Sequence, residues 1–97
     1  MTGLARELEE LFNRYKVDIV QTGHAHCYER TYPLYKGKAI KKDVTNKRYN
    51  NPQHPVYVVQ GTSGAMLKAK WVKPTPEWSA KRLSRYGYGR ITIKGKD

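Results

Sequence analysis

The chain has 97 residues, room for one small domain and no more, and a chain of that size hides only roughly 60–65% of its unfolded surface. Hydrophobic residues make up 38%, with eight Tyr among the aromatics, so the core is thin and leans on ring area. Nineteen Lys and Arg against eight Asp and Glu give a net charge of +11, which favours polyanions and phosphorylated molecules as partners and excludes strongly cationic ones. The single cysteine, Cys27, excludes an internal disulfide. No stretch approaches the ~20 apolar residues of a membrane-spanning helix. Met1 to Tyr15 also lacks the basic start and apolar run of a secretion signal.

In chain order, Leu4, Leu8, Leu11, Phe12 and Tyr15 recur at helical spacing, with Glu7, Glu9, Glu10 and Arg14 placed on the opposite face. The pattern predicts a helix over residues 3–15, with Thr2 as its N-cap. Val17 to Gln21 is short and β-branched, a strand that stops at Gly23. Thr31 to Tyr35 and Lys38 to Ile40 read as a hairpin joined across Lys36 and Gly37. Residues 41–54, polar and carrying most of a basic run from Lys36 to Arg48, read as a solvated surface loop with His54 facing water. Pro55 to Gln60 is a second strand and ends at the small-residue turn Gly61-Thr62-Ser63-Gly64-Ala65. Pro74 and Pro76 break any long helix in 66–84, and the alternating Arg90 to Ile93 is expected to be a closing strand. A helix feeding a β-branched strand gives the fold class α/β, with strands 17–22 and 55–60 side by side and parallel.

The segment Thr22 to Arg30, T-G-H-A-H-C-Y-E-R, carries the chemistry. His24 and His26 stand two apart, just past a strand end. In extended backbone, side chains at that spacing project to one side. Two imidazoles so placed can converge on one metal ion or reach two neighbouring ions. Gly23 is expected to let the chain turn sharply enough to aim both rings at a cleft. An isolated H-x-H pair is more often a surface feature than a ligand pair, so spacing alone leaves both readings open.

Leu8 to Pro33 resembles the last metal-binding block of the purple acid phosphatases, in which a helix and a strand lead into G-H-x-H and then Y-E-R. Pro55 to Ala65 resembles that family's next strand and glycine-rich turn. Pro76 to Ile93 resembles its closing segment. Three collinear likenesses cover nearly the whole chain apart from the basic loop. The resemblance implies that residues 1–97 are a C-terminal fragment of a layered metallophosphoesterase catalytic domain. It implies an acid phosphatase, acting on phosphate monoesters through a binuclear centre of Fe with Fe, Zn or Mn. His24 and His26 match ligands of that centre; Tyr28, Glu29 and Arg30 match Y-E-R and would brace the histidine turn.

The other ligand blocks of the family, D-x-H, G-D-x-x-Y, G-N-H-E and a further His block, do not occur here. The expectation is therefore at most one weakly held divalent ion and negligible turnover by these 97 residues. Thr62 stands where the family usually has an acidic residue. A family-like location would be secreted, lysosomal or vacuolar. Two other readings compete. The first is a basic nucleic-acid or polyanion-binding module using Trp71, Trp78, Lys68, Lys70 and Arg85, with weak non-specific binding expected from its charge. The second is an interaction domain that keeps the fold without catalysis.

Overall fold

The computed structural model describes residues 3–67, 71 and 73–95. Thr2, Lys68 and Lys70 lie outside the described residues, as does the side chain of Leu4. Helix α1 runs from Gly3 to Arg14. It ends by a left-handed cap: Lys16 has φ 53°, its N–H donates to the Asn13 carbonyl, and the Val17 N–H reaches back to Phe12 at 2.9 Å. These bonds satisfy carbonyls that the last turn would otherwise leave open.

Eight strands follow among the described residues: β1 (Ile19–Thr22), β2 (Tyr28–Thr31), β3 (Leu34–Tyr35), β4 (Lys38–Ala39), β5 (Val44–Thr45), β6 (Arg48–Tyr49), β7 (Val56–Gln60) and β8 (Ser79–Leu83). Four of them form the main sheet in the order β1-β7-β2-β8. β1 and β7 are parallel, with Ile19 opposite Val56 and Thr22 opposite Val59, so their carboxyl ends emerge together. β2 runs antiparallel to both β7 and β8. The α/β class and the parallel pair are as the sequence predicts. β3 with β4 and β5 with β6 form two short antiparallel hairpins.

Several features depart from expectation. Arg90 to Ile93 forms no strand; Ile91 and Ile93 are exposed, and the last strand of the described chain is β8. Alternation in R-I-T-I is not enough, because a strand needs a partner ladder and a face to cover. Ser79 to Leu83 lacks strong β-propensity but finds both in β2. The presumed loop at 41–54 contains the β5–β6 hairpin. On α1, Leu8 and Leu11 are exposed while Glu9 is buried, its Oε1 accepting the Lys36 N–H at 2.9 Å. A buried carboxylate is tolerable when a fixed donor meets it.

The core is small: Pro33, Pro55, Thr62, Thr31, Val56 and Cys27 are among its best-buried described residues. His54 is half-buried, not solvent-facing: Nδ1 bonds Asn13 Oδ1 at 2.7 Å and the ring stacks on Tyr35. It ties the helix to the β3–β4 hairpin.

Candidate metal centre

The parallel pair dictates where a site can form. Both strands end in turns on the same edge of the sheet, the position at which open α/β sheets usually build crevices. After β1 the chain runs Gly23-His24-Ala25-His26-Cys27 before entering β2. Its backbone is not extended. The Ala25 N–H donates to the Gly23 carbonyl and the Cys27 N–H to the Ala25 carbonyl, each at 2.8 Å. Each histidine thus sits at the middle of a three-residue turn. His24 has φ 68°, in the left-handed region, where a non-glycine residue costs about 1–3 kcal/mol. The sharp bend is therefore made at His24 itself. Gly23 has ordinary φ, and a Cβ there would meet the Gln60 carbonyl at a comfortable 3.6 Å.

His24 is exposed and His26 half-buried. Nδ1 of His26 lies 2.7 Å from the Met66 carbonyl oxygen. A carbonyl only accepts, so Nδ1 carries a proton, and in the neutral ring Nε2 then keeps its lone pair. A ligand imidazole needs this arrangement: one nitrogen donated to an oriented acceptor, the other free for a metal. The donor chemistry of the His26 ring therefore fits a metal ion. No group of three or more His, Cys, Asp or Glu comes together among the described residues. Cys27, next along, is buried; burial first and the Glu29 charge second raise its pKa from the usual 9.0, against a lowering by Arg82. It stays a thiol at neutral pH.

Tyr28, Glu29 and Arg30 open β2 directly after this turn, and their side-chain hydrogen bonds lead away from the histidines. Glu29 Oε2 accepts from Ser79 Oγ at 2.9 Å and from Arg82 Nε at 2.6 Å, fastening β8 to β2. Arg30 donates to the hydroxyls of Tyr28 and Tyr49, and the Tyr49 hydroxyl donates to the Thr31 carbonyl. The three residues thus fix the strand on which the turn ends. Thr62 is buried, accepting from Gln60 Nε2 at 2.8 Å and donating to the Gly87 carbonyl. A neutral hydroxyl closes the glycine-rich turn onto Gly87 without a charge.

Of the two tryptophans, the Trp71 ring lies against the Arg82 guanidinium, and Trp78 is half-buried, its backbone carbonyl accepting the Tyr32 N–H. The basic run is split between two hairpins, with Lys41 facing Glu77 at 3.7 Å and the Tyr32 ring at 4.9 Å.

Residues 54–96 match the family model described as "Iron/zinc purple acid phosphatase-like protein C". Acid phosphatase type 7 of Mus musculus is 37% identical over 89% of this chain and 20% of its own length. A nucleotide pyrophosphatase/phosphodiesterase of Hordeum vulgare is 37% identical over 88% of this chain and 23% of its own. Among solved structures, a purple acid phosphatase from yellow lupin (Lupinus luteus) seeds superposes with a TM-score of 0.64 at 33% identity, covering 82% of this chain and 14% of the lupin chain. The chain thus spans about a fifth of the length of the curated relatives it matches. In sequence and in the arrangement of its sheet, the chain matches the C-terminal part of the metallophosphoesterase fold of the purple acid phosphatases.

Proposed function

We propose that this chain contributes His24 and His26 as ligands to the binuclear metal centre of an acid phosphatase that hydrolyses phosphate monoesters. The observation that carries the reading is the His26 ring, whose Nδ1 is committed to the Met66 carbonyl so that Nε2 is left as a lone-pair donor. The family suggests iron paired with iron, zinc or manganese. Such a pair, when bound, supplies a hydroxide nucleophile at mild pH and offsets charge on the phosphate oxygens. The protein's own part is to hold two neutral imidazoles at a strand end. His24 reaches out from a left-handed turn, and His26 is held by a backbone acceptor. Ligand binding to a metal releases protons, so occupancy weakens as the solution is acidified.

Two histidines make an incomplete ligand set. The 97 residues alone are expected to hold one divalent ion weakly and to turn over an aryl phosphate negligibly. Joined to a segment carrying D-x-H, G-D-x-x-Y and G-N-H-E blocks, the chain should yield metal-dependent phosphatase activity. In that context His24→Ala or His26→Ala should each lower kcat/KM by more than the roughly 10–100-fold typical of losing an outer partner of a ligand. Full activity in both variants would refute the ligand assignment.

A further inference from the structure

We infer that the turn after β7, Gly61 to Met66, is the positioning element of the histidine turn, acting through the empty space at Gly61 and the carbonyl of Met66. The role as metal support rests on the reading of His24 and His26 as ligands; the effect on the His26 ring does not.

The glycines of this chain differ in what they require. At Gly87 an added Cβ would meet nothing within 4 Å, and at Gly23 it would make an ordinary contact. At Gly61 it would overlap the Ala25 carbonyl oxygen, lie 2.9 Å from the Ala25 carbonyl carbon and stand 3.5 Å from the His26 Cα. All three are backbone atoms, which cannot swing aside as a side chain can. The φ of Gly61 is not positive, so the demand is for space and not for an unusual conformation.

The obstructed oxygen matters because of what it already does. The Ala25 carbonyl accepts the Cys27 N–H, closing the three-residue turn that has His26 at its middle. The Gly61 N–H in turn donates to the Cys27 carbonyl at 3.0 Å, so the two turns are joined backbone to backbone. Five residues further on, the Met66 carbonyl takes the Nδ1 proton of His26. One end of the 61–66 turn therefore leaves room for the histidine turn, and the other end fixes the ring it presents. A side chain at 61 would drive the Ala25 carbonyl away, open the Ala25–Cys27 bond and separate His26 from Met66.

The test uses the 97-residue chain with 15N-labelled histidine, read by long-range 1H–15N correlation at a pH where the imidazoles are neutral, together with Zn2+ titration. Wild type should show His26 in its Nδ1–H form. Gly61→Ala should lose that preference and weaken Zn2+ binding by about 10-fold or more. Gly87→Ala should change neither. His54, whose Nδ1 is held by Asn13, reports whether the variant remains folded. If Gly61→Ala unfolds the chain, replacing the Met66–Leu67 amide by an ester decides. That change weakens the carbonyl as an acceptor without adding a side chain, and it too should erode the Nδ1–H form. An unchanged His26 tautomer in a folded Gly61→Ala chain, or in the ester variant, overturns the inference. A tautomer that shifts while His24→Ala and His26→Ala leave Zn2+ binding at wild-type strength refutes the ligand reading and leaves the positioning role standing.

Discussion

The two ends of the main sheet are built by different means. At the carboxyl ends of β1 and β7, backbone meets backbone: Gly61 N–H to the Cys27 carbonyl, paired three-residue turns, and a glycine with no room for Cβ. At the hairpin end, single side chains hold the pieces: Glu9 to the Lys36 N–H, His54 to Asn13, and Tyr49 to Thr31 and Arg30. Backbone contacts constrain position without regard to rotamer, which suits a place where two rings must be aimed. Side-chain clamps tolerate exchange of partners, which suits a solvated basic surface. β2 joins the two ends, beginning at the histidine turn and finishing where the hairpins start.

The largest effect is therefore expected at β2 itself. Glu29→Ala removes the carboxylate that meets Arg82 and Ser79, with the Glu29 and Arg82 side chains only 16% and 14% exposed. Loss of one member of a largely buried pair should cost about 3 kcal/mol in chemical denaturation. Both ends of the sheet should loosen together in amide exchange. A variant as stable as wild type would mean that β8 is held by something other than Glu29.

Tyr49→Phe sharpens the contrast. It deletes one hydroxyl that donates to the Thr31 carbonyl and accepts from Arg30 Nε, each at 3.1 Å. A loss of about 1–2 kcal/mol is expected, with faster amide exchange confined to residues 44–49. The His26 tautomer should stay as it was. A shift of that ring would show that the two ends are coupled.

The smallest change is expected from Tyr57→Phe. The Tyr57 hydroxyl is buried without a hydrogen-bond partner, so its removal should be neutral or stabilising by up to about 1 kcal/mol. Burial, and then the nearby Glu9 charge, push the Tyr57 pKa above the ordinary 10.0. The folded chain therefore holds this proton more tightly than the unfolded one. The resulting stability is complete below 10.0 and is lost as pH rises through the folded value. Denaturation midpoints of wild type and Tyr57→Phe should diverge above pH 10, with the variant losing less. Parallel curves across that range would show that the phenol makes no such contribution.

This division also explains which parts could be read from the sequence. Val17 to Gln21 and Pro55 to Gln60 are β-branched runs stopped by glycine, and β1 and β7 lie there, parallel as expected. G-H-x-H placed the histidines correctly at a strand end but misassigned the bend. Gly23 looked like the hinge, yet the left-handed residue is His24 and the indispensable glycine is Gly61. The signal for Gly61 was present in its place after a strand; its reason, an atom of Ala25, lies 36 positions earlier in the chain. β2, β8 and the burial of Glu9 escaped because charged residues form them, and only partners distant in sequence make those charges acceptable. R-I-T-I had the right alternation and no ladder to join.

The order β1-β7-β2-β8 has a kinetic consequence. No two strands that are neighbours in sequence are neighbours in this sheet: Ile19 must find Val56, and Tyr28 must find Leu83. Each ladder closes a long loop before any pairing stabilises it, which makes folding slow for a chain of this length. Until β1 docks, the Val-Tyr-Val-Val run of β7 has an open edge, of the kind that recruits strands from other molecules. The site at the strand ends is thus among the last parts to exist, and dilute, slow refolding should favour it over aggregation.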